Sequence, residues 1–314
     1  MISFEASSKG FRSGFVALIG RPNVGKSTLV NRLIGEKVAI TSPIAQTTRN
    51  RLRAILTTSN SQLVIVDTPG IHKPHHLLGE RLVESARNSI GEVDLVVVIF
   101  DASSSPGRGD QFIVDLLKKQ KIPVLVALNK CDLISKEHFR NRRDEYKDFI
   151  ENTSWPFKCC SAFNGDGCDQ LVNEMNSFMP IGPKLYPSNM VSDQPQKILL
   201  AELVREQVLF NTREEIPHSV AVMIDRIEEF PNNKSKSSRS PRTAVLATVL
   251  VERKSQKGIL IGKGGAMLKK IGAGARLQME TLIEGSVYLE LFVKVVPNWR
   301  GKPSRLAELG YEGK

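Results

Sequence analysis

Gly20-Arg-Pro-Asn-Val-Gly-Lys26-Ser27 is the stretch that decides the fold. It has the G-x-x-x-x-G-K-[ST] spacing of a phosphate-binding loop. The apolar run Phe15-Val-Ala-Leu-Ile19 precedes it and the helix-like Ser27-Thr-Leu-Val-Asn-Arg-Leu33 follows it, which is the strand–loop–helix setting the motif needs. Gly20 and Gly25 let the backbone curl so that the N–H groups from Asn23 and Val24 through Thr28 can face phosphate oxygens. The helix N-terminus adds its positive dipole end. Lys26 is placed to reach β- and γ-phosphates, and the Ser27 hydroxyl to take Mg²⁺. The loop therefore points to a nucleoside triphosphate and leaves the base open.

Around this loop the first 180 residues alternate strand-like and helix-like segments. The strand runs are Phe15–Ile19, Arg51–Thr57, Leu63–Val66, Leu95–Asp101, Val124–Leu128 and Lys158–Cys160. Helical patterns fall at Ser27–Leu33, within Leu78–Ile90, and at Gln111–Lys119, Phe139–Ile150 and Gln170–Met179. Runs rich in Val, Ile and Leu without polar alternation are buried on both faces, so the expected architecture is α/β, a mixed, mostly parallel sheet between helices.

Three further motifs narrow the chemistry. Asp67-Thr-Pro-Gly70 ends a strand about 40 residues after the loop, where an Asp holds Mg²⁺ and a glycine N–H senses a γ-phosphate. Asn129-Lys-Cys-Asp132 follows the strand Val124–Leu128. A carboxylate at Asp132 accepts from the N1–H and exocyclic amine of guanine; adenine lacks that donor pair. Lys130 can lay its stem over the base and Asn129 can tie the loop to backbone. Ser161-Ala162 follows the next strand, with the Ala162 N–H placed for guanine O6. The four motifs in this order select GTP and GDP over adenine nucleotides. Between the first two lies Thr41-Ser-Pro-Ile-Ala-Gln-Thr-Thr48-Arg49, in which Thr48 is the residue expected to join Mg²⁺ only while a γ-phosphate is present. Lys26, Thr48 and Gly70 form the expected catalytic set.

Ile71 stands where a water-orienting glutamine is common among such enzymes, so intrinsic hydrolysis is expected to be slow and to need a partner, a monovalent cation or ordered backbone. Asn23 is the candidate ligand for K⁺. His72, His75 and His76 lack a fourth ligand at suitable spacing and are not read as a metal site. The four cysteines, Cys131, Cys159, Cys160 and Cys168, fit neither a disulfide framework nor a zinc site, and Cys159-Cys160 reads as filling a strand end.

Pro180-Ile-Gly-Pro-Lys-Leu-Tyr-Pro-Ser-Asn-Met-Val-Ser-Asp-Gln-Pro195, with its four prolines, reads as a linker over 181–195 between domains at 1–180 and 196–314. The second domain begins with a helix carrying Ile198, Leu199, Leu203, Val208 and Leu209. Strands at Val220–Ile227 and Ala244–Val251, a glycine-bearing helical segment and a strand at Val287–Val296 follow. Of the net charge of +11, residues 1–180 carry 23 Lys and Arg against 19 Asp and Glu, and residues 181–314 carry 21 against 14. The shorter half is the more basic, as expected for a polyanionic partner. Gly262-Lys263-Gly264-Gly265 between Ile261 and Leu268 is a Gly-x-x-Gly loop of the kind that clamps a single-stranded nucleic-acid backbone, with Lys263, Lys269 and Lys270 as phosphate contacts. The order helix, strand, strand, helix–loop–helix, strand is that of an α+β type II KH domain. Asn232–Arg242 carries four positive charges and no negative one, and reads as a basic loop between two strands. Gly272-Ala-Gly-Ala-Arg276 puts two more glycines into the KH helix, each expected to weaken it by up to ~1 kcal/mol. No apolar run approaches membrane-spanning length and the N-terminus has no signal-peptide core.

A P-loop domain joined by a short linker to a KH domain resembles the Era family of GTPases. The resemblance rests on Gly20–Ser27, Gln46-Thr-Thr-Arg49, Asp67-Thr-Pro-Gly-Ile-His-Lys-Pro74, Asn129–Asp132, Ser161-Ala162 and Val251–Gly258 running into Gly262–Gly265. It implies a cytoplasmic monomer that hydrolyses GTP with Mg²⁺, binds 16S ribosomal RNA near its 3′ end, assists 30S subunit maturation and associates peripherally with the inner membrane. A second reading keeps the switch but makes a protein or the membrane its main partner, with the KH-like domain used for docking.

Overall fold

The computed structural model describes residues 10–44, 47–71, 77–230 and 243–311. Gln46, the three histidines of the 72–76 segment and the basic stretch 232–242 lie outside them. The chain divides into two units, one running to Asp193 and the other beginning at Gln194.

The first unit is built on six strands and five helices. In chain order they are β1 (Arg12–Gly20), α1 (Lys26–Ile34), β2 (Leu52–Thr57), β3 (Ser61–Asp67), α2 (Leu77–Ile90), β4 (Leu95–Asp101), α3 (Arg108–Lys118), β5 (Val124–Asn129), α4 (Lys136–Phe149), β6 (Phe157–Cys159) and α5 (Cys168–Phe178). The sheet order is β2-β3-β1-β4-β5-β6, parallel except for β2, which pairs antiparallel with β3. Leu95–Phe100 and Val124–Asn129 are buried at every residue, as strands covered on both faces must be. One face packs Val96, Val98 and Phe100 of β4 against Ile113, Val114 and Leu117 of α3. Burying about six such apolar side chains contributes on the order of 10 kcal/mol. It also fixes the carboxyl ends of β1, β3, β4 and β5 at one edge, the place where open α/β sheets bind ligands.

α4 starts at Lys136, three residues before the sequence pattern puts it. Its start is set by Ser135, whose Oγ accepts from the His138 N–H, and the first turn is too polar to show an apolar period. Residues 180–193 do not hang free. Ser13 N–H donates to the Pro180 carbonyl at 3.1 Å and Ile55 N–H to that of Val191 at 2.9 Å. Buried Gln62 of β3 accepts from the N–H groups of Leu185 and Tyr186 at 2.6 and 2.9 Å, and Arg53 pairs with Asp193 at 3.2 Å.

The second unit contains α6 (Gln196–Asn211), α7 (Ile216–Ser219), β7 (Ala221–Glu229), β8 (Thr243–Val251), α8 (Lys254–Ile261), α9 (Ala266–Ile283), β9 (Val287–Val295) and α10 (Pro303–Glu308). Its sheet runs β7-β8-β9, with β7 antiparallel and β9 parallel to β8. Alternate residues of β8, Thr243, Val245, Ala247, Val249 and Val251, are buried. Ile271, Ala275 and Met279 repeat every four residues along α9 and are buried too. The glycines in α9 do not break it. A Cβ on Gly274 would lie 2.3 Å from Gln207 Oε1 of α6, so this glycine admits close packing of two helices. Beyond β9 the chain continues with structure that hydropathy alone does not show: Trp299 is fully buried and donates from Nε1 to the Ser219 carbonyl at 2.9 Å.

Candidate functional site

β1 delivers Gly20 to the sheet edge and α1 begins at Lys26, so the phosphate loop spans the five residues between. Gly25 has φ 98° and Asn23 φ 64°, left-handed values that turn the loop on itself. A Cβ on Gly20 would meet the Ile99 carbonyl oxygen at 2.7 Å, and one on Gly25 would meet Asn129 Nδ2 at 2.3 Å. Both glycines are therefore dictated by contact with neighbouring strand ends. The loop frames a cleft of about 430 Å³ whose walls include Asn23, Gly25, Lys26, Ser27, Thr28, Thr41, Thr48, Gly70 and Lys130.

At the phosphate end, Lys26 is buried and donates from Nζ to the carbonyls of Gly20 and Arg21 at 3.2 and 3.0 Å. Burial lowers its pKa to about 8, against the pull of Asp67. Ser27 Oγ lies 2.7 Å from Asp67 Oδ2 and 2.8 Å from Thr48 Oγ1, and Thr48 Oγ1 lies 3.2 Å from the same carboxylate oxygen. Asp67 is fully buried, which pushes its pKa up, while Lys26, Ser27 and Thr48 hold it down. Its Oδ1 has no protein partner. Two hydroxyl oxygens against a buried carboxylate with an unused oxygen suit a small, hard dication such as Mg²⁺.

Gly70 packs on the loop itself, with room for no side chain: a Cβ would lie 2.8 Å from the Pro22 nitrogen. The next residue, Ile71, donates its N–H to the Gly20 carbonyl at 3.1 Å and buries its side chain among Ala86, Ile90 and Phe100. Nothing at position 71 reaches into the cleft. Asn23 Nδ2 donates to the Pro43 carbonyl at 2.8 Å, joining the phosphate loop to the segment that carries Thr48.

At the far end, Asn129 Nδ2 donates to the Val24 carbonyl at 2.9 Å and Asn129 Oδ1 accepts from the Ala162 N–H at 2.8 Å. The Ala162 N–H is thus engaged by Asn129, and a guanine O6 would have to take that bond over. Lys130, at φ 65°, stretches beside Gly25 and pairs with Asp101 at 2.6 Å. Asp132 is exposed on a single 3₁₀ turn, Cys131–Leu133, and its Oδ1 accepts from Ser161 Oγ at 2.5 Å. Asp101 and Arg32 are additions that the motifs do not reveal. Arg32 of α1 holds the Ala162 and Phe163 carbonyls and so fastens the segment after β6 to the helix that follows the phosphate loop.

In the second unit the Gly-x-x-Gly loop joins α8 to α9. Gly262 has φ 72°, and a Cβ there would strike Met267 at 2.8 Å. Gly264 (φ 58°) and Gly265 (φ 81°) face open space, and Lys263, Lys269 and Lys270 are exposed beside them. Gln256 braces the entry to α8: its Oε1 accepts from the N–H groups of Glu252 and Arg253 at 2.9 and 3.0 Å. Backbone bare of side chains next to exposed ammonium groups is a surface to which a phosphodiester chain can come close.

Comparison with known proteins agrees with both halves. A family model described as a 50S ribosome-binding GTPase matches residues 15–130, and one described as a KH domain matches residues 215–300. The chain is 52% identical to a GTPase Era from Synechocystis sp., over 96% of this chain and 93% of the relative. It is 50% identical to that of Rippkaea orientalis, over 99% and 96%. A crystal structure of Era with MgGDPNP and nucleotides 1506–1542 of 16S ribosomal RNA superposes with a TM-score of 0.90 at 37% identity, over 96% of this chain and 100% of that one. A variant of Aquifex aeolicus Era bound to GDP·AlF4⁻ gives the same TM-score, identity and coverage.

Proposed function

The chain belongs to the Era family of GTPases, and from that membership we propose how its residues divide the work. It binds and hydrolyses GTP in the first unit and holds the 3′ end of small-subunit ribosomal RNA with the second, so that the nucleotide sets when the RNA is held during 30S maturation. The observation that carries the nucleotide half is the convergence of Ser27, Thr48 and Asp67, within 2.7–3.2 Å of one another, beside Lys26.

In this reading Lys26 neutralises the β- and γ-phosphates. Ser27, Thr48 and Asp67 hold Mg²⁺, which shields charge on the phosphate oxygens. The loop carrying Thr48 is drawn to Ser27 and Asp67 while the γ-phosphate is present and loses that hold after hydrolysis. Gly70, tight against Pro22, presents its backbone to the γ-phosphate. With Ile71 sunk in the core, no side chain there orients the attacking water, so the intrinsic rate is slow. Asn23 Oδ1 is the ligand we assign to K⁺, and turnover should fall sharply when Na⁺ replaces K⁺. On the RNA side, Gly262–Gly265 takes the backbone while Lys263, Lys269 and Lys270 meet phosphates. Among the described residues no helix is long and apolar enough to cross a membrane. We read the protein as a cytoplasmic monomer that associates with the membrane peripherally.

The base assignment is tested by Asp132→Asn. It should weaken GTP binding by on the order of a hundredfold and raise xanthosine triphosphate binding, because a bidentate charge-assisted contact contributes about 3 kcal/mol. Unchanged GTP affinity would remove Asp132 from the base site.

A further inference from the structure

Two of the four cysteines stand beside the base-reading residues. Cys131 sits between Lys130 and Asp132, and Cys159 closes β6 two residues before Ser161. Spacing along the chain gives no hint of a pair, but the sheet brings them together. Leu128 lies opposite Cys159 in the β5–β6 register, and the Cys131 N–H donates to the Cys160 carbonyl at 3.2 Å. The Cys131 thiol donates to the Leu128 carbonyl oxygen at 3.2 Å, and Leu128 is the residue that Cys159 faces across the sheet. Both thiols are half-buried and line a surface cavity of about 320 Å³ with Lys136 and Phe139, so a small reagent can reach them. Cys160 and Cys168 are buried. Cys131, and beyond it Arg143 and Lys147, draw the Cys159 sulfur toward the thiolate against the cost of its burial, while Cys131 beside it is held as the thiol.

We propose that Cys131 and Cys159 form a reactive thiol pair that closes to a disulfide and thereby loosens the hold on guanine nucleotide. The effect on binding rests on the role assigned to Asp132. The Cys159 thiolate attacks one sulfur of a low-molecular-weight disulfide and expels a thiolate, leaving a mixed disulfide. Cys131 gives its proton to water and attacks the Cys159 sulfur, expelling the second thiolate. Two protein thiols are oxidised and one external disulfide is reduced to two thiols.

The closure acts on Asp132 because of what can move. A disulfide brings its sulfurs to about 2.05 Å, well inside the contact distance of two free thiols. β6 is held in the sheet, with the Cys160 N–H on the Leu128 carbonyl at 2.8 Å. The 131–133 turn is only one turn long and follows the left-handed Lys130. The turn therefore yields, and Asp132, the residue after the linked one, is displaced from its alignment on Ser161 Oγ.

The test treats the reduced full-length protein with oxidised glutathione, maps peptides without reduction and measures GDP affinity. The expected result is a Cys131–Cys159 linked peptide and GDP binding about tenfold weaker, the loss of roughly one good hydrogen bond. Dithiothreitol should restore it. Cys159→Ser should bind GDP like the reduced protein and ignore the oxidant. A glutathione adduct without the link, or the link with unchanged affinity, would overturn the proposal. Peptide mapping on the unmutated protein stands whatever the variant does. The base assignment stands or falls separately, on the xanthosine preference of the Asp132→Asn protein.

Discussion

Raising the pH from 7 to 9 should weaken nucleotide binding through Lys26 alone. Its ammonium is buried and its pKa is lowered to about 8. At pH 7 about nine-tenths of the molecules carry the charge, and at pH 9 about one-tenth. A phosphate beside Nζ favours the charged form and raises the pKa back toward the ordinary lysine value. The sign follows: this contribution to binding is whole below pH 8 and is lost as pH rises above it. The apparent Kd for GDP should therefore rise about tenfold between pH 7 and 9, or about 1.4 kcal/mol. Binding at pH 9 should take up close to one proton, against about a tenth of one at pH 7. Calorimetry in two buffers of different ionisation enthalpy reads the proton count, and a fluorescent GDP titration reads the affinity. Lys26→Met should bind more weakly with a flat profile over the same range. A flat profile for the unmutated protein, or no proton uptake at pH 9, would refute a buried lysine whose pKa is lowered to about 8.

Two other perturbations follow from contacts rather than charge. Gly70→Ala places a Cβ 2.8 Å from the Pro22 nitrogen, so the phosphate loop and the turn after β3 must part by several tenths of an ångström. GTP turnover should fall about tenfold or more while GDP affinity changes by less than about threefold, since catalysis feels such displacements more than binding does; single-turnover hydrolysis beside equilibrium binding checks this. Gly264→Asp puts a carboxylate on the exposed RNA loop at φ 58°, a conformation Asp tolerates. RNA binding should weaken about tenfold, with a salt dependence shallower by about one ion, and nucleotide binding by the first unit should not change.

The nucleotide site was the most legible part of the sequence because its chemistry fixes residue types at fixed spacings. Lys26, Ser27 and Asp67 are named by what a triphosphate requires, and the structure brings them to one point with Thr48. What the sequence hid were partners distant along the chain. Gln62 and Tyr186 are 124 residues apart, and the prolines around Tyr186 suggest freedom rather than a strap bound to β2 and β3. Gly274 reads as a weakness in a helix until Gln207 is seen against it. Ala162 offers its N–H to guanine in the sequence, yet Asn129 holds it in the fold. Cys131 and Cys159 are unrelated by spacing and adjacent only through the register of β5 and β6. Each of these depends on tertiary contact, which local pattern does not encode.

That the nucleotide governs the hold on RNA is tested most directly by one comparison of affinities. A fragment from the 3′ end of small-subunit ribosomal RNA is titrated with the full-length protein at fixed salt, once with Mg²⁺ and a non-hydrolysable GTP analogue and once with Mg²⁺ and GDP. Tighter RNA binding in the presence of the analogue, by about tenfold or about 1.4 kcal/mol of coupling, is the expected result. Equal affinities in the two nucleotide states would contradict it and leave an RNA-binding domain that merely shares a chain with a GTPase.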